Sequence, residues 1–349
     1  MKLVVYQEEL PPYRIPFFNE LYCKLNKNFE LHIPLKGCNY NDMSLNLPYV
    51  LRKGRLYQSV LGLNFHLFAK FPNLDTSDSI LILGNLRSVH SILLFIYSKV
   101  FTNSNVLWWG HVKVGYQFFI IRFIRNLFYR FSDFIVLYSD RDYEILIREL
   151  PHLDGKIIIL NNGLDQSLID RYRQPYDFRI RGKNILFMGR NTIKSEFRLL
   201  YASFKDLPSS YTLHVIGVDQ DEMDLDFLPN VKFYGEIYDE ERISYIVNKC
   251  AVFVYPGSVG LSLIHALSYG IPILVYSDIN YHMPEISSSF EPNLPVGLFF
   301  NDKSVNTLSK HILRIMSSAD LNIWSQNALK ITKTKYNVST MADVLLNVI

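Results

Sequence analysis

Short, continuous apolar runs alternate with segments of helical spacing along the whole chain. "KLVVY" (2–6), "FELHIPL" (29–35), "SILIL" (79–83), "NVLWWG" (105–110), "DFIVLYS" (133–139) and "KIIIL" (156–160) predict the strands of a first half. "NILFMG" (184–189), "YTLHVIG" (211–217), "VKFYG" (231–235), "AVFVYP" (251–256), "IPILVY" (271–276) and "GLFF" (297–300) predict a second series. Helix-like segments such as 16–27 and 114–131 lie between them. Runs this apolar suit strands buried on both faces, and strands separated by helices pair in parallel. The pattern predicts an α/β chain of two Rossmann-like, doubly wound domains in tandem. Such sheets bind ligands beyond the carboxyl ends of their strands, so the expected site is a cleft that the two domains face. The expected boundaries are 1–165 for an N-terminal domain, 166–183 for a polar linker and 184–330 for a C-terminal domain. Residues 331–349 are expected to form a helix that packs back on the N-terminal domain.

At 349 residues the chain exceeds one ordinary core and suits two domains. No uncharged apolar run reaches the length of a membrane span, because Lys99 interrupts 91–106 and three arginines interrupt 114–131. Glu8 and Glu9 come too early for a signal peptide. Cys23, Cys38 and Cys250 show no metal spacing and no even framework, as expected of inert thiols in a reducing cytoplasm.

The net charge of +3 hides an asymmetry: residues 1–132 carry 15 Lys and Arg against 7 Asp and Glu, leaving the remainder net acidic. The basic half calls for an anionic partner. Nucleic acid is excluded, since there is no Arg-rich recognition helix, zinc spacing or RNA-binding aromatic motif. A membrane surface with anionic lipids, or a phosphorylated acceptor, fits better. Within 112–131, Arg122, Arg125 and Arg130 fall in an arc of about 140° at about 100° per residue, with Phe, Ile and Leu filling the rest. Most of that apolar side is expected to pack in the first domain. In the alternative, part of it dips into a membrane interface while the arginines meet lipid phosphates.

Two stretches carry candidate chemistry. In "FMGRNTIKSEFRLLYASF" (187–204), a strand ends at Gly189, and Arg190 and Lys194 follow in the loop before a helix. Two cations there can neutralise a diphosphate as it leaves a sugar carbon. In "PGSVGLSLIHALSYG" (256–270), Ser258 can cap a helix while the N–H groups of Val259, Gly260 and Leu261 face an anion. Together the two stretches make a diphosphate site.

These motifs recur in a recognisable order: "GR…K", "LHVIGVD", "NVKFYGEIYDEERISYIVNKCAVFVYPGSVGLSLIHALSYGIPILVYSD", "MPEI" and "VGLFFNDKSVNTLSKHI". The order resembles the nucleotide-sugar domain of retaining GT-B glycosyltransferases of family 4, the glycosyl transferases group 1. "LPPYRIPFFNEL", "VLWWGHVKVG", "DFIVLYSDRDYEILI" and "KIIILNNGLDQ" extend the likeness over nearly the whole chain. The resemblance implies a GT-B fold, with Arg190 and Lys194 on the donor diphosphate at the end of the Gly189 strand. It implies that Gly235 and Ile237 contact the base, that the helix starting at Ser258 meets the phosphates, and that Glu285 in "MPEI" belongs to the donor loop. His111 in "WWGH" matches a cleft-facing position beside the reacting sugar, where an imidazole titrating near neutrality is a catalytic candidate. Arg14, in the first strand–helix loop, is a candidate for an acceptor phosphate.

Members transfer a sugar with retention and without a metal, so no cofactor is expected beyond the nucleotide-diphosphate donor. The "DLD" at 224–226 reads as a surface acidic loop. Two departures stand out. Many members carry two glutamates eight positions apart, where this chain has Gly257 and His265. A neutral imidazole can still bond a ribose hydroxyl, whereas Gly257 leaves a vacancy near the sugar. The loop from Arg190 to Lys194 is also about one residue short. The expected function is transfer of a hexose or deoxyhexose from a UDP- or GDP-sugar to a lipid-linked saccharide in surface polysaccharide synthesis, such as O-antigen or capsule. The expected location is the inner face of the cytoplasmic membrane. A non-catalytic GT-B subunit, or an inverting transferase or epimerase, are the alternatives that remain open.

Overall fold

The computed structural model describes residues 1–34, 47–53, 56–60, 62–67, 71–112, 119–222 and 226–349. Cys38 and Asp224 lie outside the described residues. The chain divides into two compact units, Met1–Asn161 with Val338–Ile349, and Asn162–Asn337.

The N-terminal unit is built on β1 (Leu3–Tyr6), β2 (Phe29–Pro34), β3 (Val50–Lys53), β4 (Leu56–Val60), β5 (Leu63–Leu67), β6 (Ser79–Leu83), β7 (Asn105–Trp109), β8 (Phe134–Leu137) and β9 (Ile157–Ile159). Seven of these strands form one sheet in the order β3-β2-β1-β6-β7-β8-β9, with every pair parallel. β4 and β5 form a separate antiparallel hairpin, with Gly62 at φ +77° in its turn. The helices are α1 (Ile15–Lys24), α2 (Val89–Phe101), α3 (Phe119–Phe131) and α4 (Asp140–Glu149).

Alternation along the strands sends side chains to opposite faces. Leu3, Val5, Leu107 and Trp109 pack in one core, while Val4, Ile80, Val106 and Trp108 pack in another. The second core includes Phe95 of α2 stacked edge-on to Phe128 of α3, so these helices are neighbours.

The C-terminal unit begins with α5 (Gln166–Tyr172) and α6 (Phe178–Arg181). The segment 166–183 is therefore not a free linker. Arg181 is buried and donates to the Cys250 carbonyl at 2.9 Å, and the Tyr176 hydroxyl donates to the Ala251 carbonyl at 2.9 Å. Polar groups anchored in this way hold the segment on the unit it precedes. Next come β10 (Asn184–Met188), α7 (Phe197–Phe204), β11 (Thr212–Ile216), β12 (Val231–Phe233), α8 (Glu240–Val247), β13 (Val252–Tyr255), α9 (Leu261–Ser268), β14 (Ile273–Tyr276) and β15 (Gly297–Phe300). The unit closes with α10 (Val305–Met316) and α11 (Leu321–Lys335). Its sheet runs β12-β11-β10-β13-β14-β15, all parallel. Strand order reverses between β10 and β13, which makes that point the topological switch. The last helix, α12 (Val338–Leu346), belongs to the N-terminal unit and packs against α1.

One helix departs from expectation. On α3 the apolar residues face outward: Phe119, Ile120, Ile121, Phe123, Ile124, Leu127 and Phe131 are exposed, from 37% at Ile124 to 76% at Phe119. The apolar side expected to pack in the first domain faces out, and Arg125, set at a lipid surface in the alternative reading, points inward. It is buried, its Nη2 lies 2.9 Å from Glu149 Oε2, and its Nη1 donates to the Val112 carbonyl. A buried guanidinium needs these partners, and meeting them rotates the helix so that its apolar side faces out. No helix among the described residues is long and apolar enough to cross a membrane.

Candidate active site

The carboxyl ends of β10, β11 and β12 enclose a cavity of about 720 Å³ lined by Arg190, Asn191, Thr192, Gly217, Asp219, Tyr234, Gly235 and Glu236. Arg190 is the cation among these lining residues and is exposed. Gly217 sits at φ +88°, and a Cβ there would come within 2.7 Å of the Gly189 carbonyl oxygen. Only glycine lets the two loops approach so closely. Tyr234 is set from below by His214, whose ring nitrogens bond the Tyr234 hydroxyl at 2.8 Å and Asn184 Oδ1 at 2.9 Å. Burial, reinforced by Lys232 and Lys249, pushes His214 down to about 4, so this support is uncharged. Lys194 lies in the short turn Ile193–Ser195, exposed and outside the cavity lining; its carbonyl accepts the Ser258 N–H at 2.7 Å.

That contact accounts for Gly257. A Cβ at 257 would overlap the Lys194 carbonyl oxygen and the Ser195 carbonyl group. The short 190s loop thus occupies the space in which a side chain at 257 would lie, and the two departures in the sequence are one packing event. Gly257→Ala is expected to cost about 3 kcal/mol through this overlap and to lower the melting temperature by roughly 6–12 °C. Differential scanning calorimetry measures the shift, and an unchanged melt would remove the packing explanation.

The start of α9 differs from the sequence reading in three ways. Gly260, not Ser258, is the N-cap residue, and no side chain caps the helix. The Ser258 N–H is taken by Lys194, and the Val259 N–H donates to His282 Nδ1 at 3.2 Å. The His282 Nε2–H in turn donates to the Tyr276 carbonyl at 2.8 Å, which fixes the tautomer. Among the described residues, the donors without an acceptor begin one residue later, at Gly260, Leu261 and Ser262, where the helix dipole adds positive potential. Glu285 is buried close to this end, and its Oε1 accepts from Asn162 Nδ2 at 2.7 Å.

His265 lies in the second turn of α9 and pairs with Glu240 Oε1 at 2.9 Å, an oxygen that also accepts from the Tyr269 hydroxyl at 2.6 Å. Burial would raise the Glu240 carboxyl, but the hydrogen bonds from His265 and Tyr269 outweigh it and hold the group below its ordinary range. Glu240 was not singled out from sequence; its signal is an acidic residue in the first turn of the helix that follows the "FYGEI" loop. Ile237 packs against the core of the unit beside this loop. Asp226 of the acidic loop pairs with Lys205 at 2.6 Å.

In the N-terminal unit, His111 follows β7 and stacks on Tyr138, with ring centroids 4.1 Å apart. Burial, with Arg14 adding to it, pushes His111 down to about 4, below the near-neutral titration expected from sequence. It is an uncharged hydrogen-bonding group at neutral pH. Arg14 is buried on the face of Trp109, 4.0 Å from the ring centroid, and donates to the Tyr138 hydroxyl at 3.0 Å.

Residues 169–331 match the glycosyl transferases group 1 family. Among solved structures, the chain resembles HepE of Anabaena in complex with UDP (13% identity, 100% of this chain and 99% of that one, TM-score 0.71). A glycosyltransferase from Rickettsia africae (11%, 99% and 97%, TM-score 0.70) and sucrose-phosphate synthase of Thermosynechococcus elongatus (14%, 99% and 98%, TM-score 0.68) are similar to a like degree. No curated protein matches the sequence. The fold is GT-B, and residues 169–331 carry a glycosyl transferases group 1 domain.

Proposed function

We propose that the chain moves a hexose or deoxyhexose from a nucleotide-diphosphate sugar to a polyprenyl-diphosphate-linked saccharide or similar acceptor, with retention and without a metal. The observation that carries this reading is the pairing, across one sheet's switch point, of the Arg190 cavity after β10 with the open amide end of α9 after β13. A guanidinium and a helix N-terminus are the two devices best suited to a diphosphate. HepE of Anabaena was crystallised with UDP, which supports the same donor chemistry here.

In the proposed reaction the bond between the sugar's anomeric carbon and the diphosphate oxygen breaks as the acceptor hydroxyl attacks from the same face. The hydroxyl proton passes to the leaving phosphate oxygen. Arg190, aided by Lys194 and the Gly260–Ser262 amides, stabilises the charge that develops on that oxygen. His265, oriented by Glu240, meets the ribose side of the donor, Glu285 braces the donor loop, and the uncharged His111 accepts a hydrogen bond from the acceptor.

The exposed apolar residues of α3, and Leu93, Ile96, Val100 and Phe101 of α2, support peripheral binding at the inner face of the cytoplasmic membrane. Surface polysaccharide assembly, with O-antigen or capsule as product, is the setting in which a lipid-borne acceptor and such a face coincide.

A thermal-shift panel of UDP, GDP, CMP and dTDP with their sugars tests the donor reading. One base should stand out, since ligand at a hundredfold over its Kd adds about 2.7 kcal/mol to stability. If none raises the melting temperature, the reading fails.

A further inference from the structure

Arg14 stands at the carboxyl edge of the N-terminal sheet, in the turn between β1 and α1, with His111 after β7 and Tyr138 after β8 at the same edge. Its side chain is more than nine-tenths buried. The contacts that hold it are aromatic: the Trp109 face at 4.0 Å, the Tyr138 hydroxyl at 3.0 Å, and the Tyr138 and Tyr13 rings at 5.5 and 5.9 Å. Nη1 has no hydrogen-bond partner among the described residues. Among the described residues, the groups that act on its charge are Tyr138 and Tyr13.

Two other arginines are buried among the described residues. Arg125 has Glu149 and a main-chain carbonyl. Arg181 has no carboxylate and its Nε is unpartnered among the described residues, but two main-chain carbonyls, of Cys250 and Gln174, take its charge, whereas Arg14 has a tyrosine hydroxyl, that of Tyr138, as its hydrogen-bond acceptor. A buried charge without a counter-ion is costly, and proteins keep one where a ligand supplies the missing partner. The aromatic stack stiffens the guanidinium without neutralising it, since a ring face attracts the cation but accepts no strong hydrogen bond at its edge.

We infer that Arg14 is an oxyanion subsite for the acceptor: the sugar acceptor carries a phosphate or a carboxylate, and that group docks on the guanidinium between Trp109 and Tyr138. The inference rests on the glycosyltransferase reading for calling the ligand an acceptor, while the anion site itself stands on the geometry of the N-terminal unit alone. The docked anion would lie beside His111, which stacks on the other ring bonded to Arg14, so one end of the acceptor is fixed by charge and its hydroxyl is offered to an imidazole. Arg14 acts here as a positioning and specificity residue.

The test uses the full chain labelled with nitrogen-15 histidine, with the His111 imidazole assigned from His111→Gln. Inorganic phosphate and sodium acetate are titrated separately, each against sodium chloride at constant ionic strength. A saturable shift of the His111 signal is expected with at least one of them. Saturation by phosphate alone identifies a phosphorylated acceptor, and saturation by acetate alone an acidic sugar. Arg14→Gln should weaken the response at least tenfold and Arg14→Lys should restore part of it, with near-ultraviolet circular dichroism of Trp109 reporting that the variants fold. If Arg14→Gln does not fold, the wild-type titration alone decides. No saturable response in wild type, or an unchanged one in folded Arg14→Gln, overturns the inference. Nucleoside diphosphate binding is measured in parallel, so that failure of the donor reading and failure of the Arg14 subsite are told apart.

Discussion

Replacing Arg190 with alanine is expected to lower the transfer rate by about 10²–10³-fold, the loss typical of one preorganised group aimed at developing charge. The residue lies in the loop directly after β10, lines the cavity, and is exposed rather than tied up in a structural ion pair, so its removal should leave the fold intact. Most of the loss should fall on kcat, because charge on the leaving diphosphate grows as the bond breaks. Lys194→Ala should cost less, about tenfold or below, since Lys194 lies outside the cavity lining and its fixed contribution is a main-chain carbonyl. Release of nucleoside diphosphate, followed at initial rate with the donor found by thermal shift, measures both variants. An Arg190→Ala enzyme within twofold of wild type would remove the diphosphate role.

The second large effect is expected at the membrane. Wild-type protein should co-sediment with vesicles containing phosphatidylglycerol and bind pure phosphatidylcholine vesicles more weakly. The double variant Phe119→Glu/Phe123→Glu should lose at least tenfold in partitioning. These residues lie four apart on α3 and are 76% and 56% exposed. Burying a phenylalanine side chain is worth roughly 1.5–3 kcal/mol, so losing two more than accounts for a tenfold change. Arg122 and Arg130, exposed on the same helix, should carry the lipid-charge preference, and Arg122→Glu/Arg130→Glu should erase it along with the salt dependence. Equal sedimentation of wild type and Phe119→Glu/Phe123→Glu would show that this face does not meet the bilayer.

The strands of both large sheets were legible wherever apolar runs were continuous, from "KLVVY" to "GLFF", because a strand buried on two faces writes its length directly into the sequence. β3, an edge strand reading "VLRK", and the hairpin "LYQSV"/"LNFHL" are not among the strands predicted from sequence, since polar residues interrupt their apolar runs. Helix α3 shows what composition conceals. Its residues told which side is apolar but not which side faces the core, and that was decided by Glu149 and the Val112 carbonyl drawing Arg125 inward.

The carboxyl edge of the C-terminal sheet was legible as Arg190, the glycines and the start of α9. The partners that consume the Ser258 and Val259 amides were not, because Lys194 and His282 arrive from segments remote in sequence. The same holds for Glu240, brought to His265 across 25 positions, and for the burial that keeps His111 uncharged. Gly257 read as a missing glutamate; the packing beneath it shows a position closed to any side chain.

A crystal structure of the protein with the nucleoside diphosphate that gives the largest thermal shift tests the donor site most directly. The diphosphate should lie between the Arg190 guanidinium and the Gly260–Ser262 amides, with the base toward Gly235 and Ile237. A nucleotide bound elsewhere, or with its phosphates away from Arg190 and α9, would contradict it.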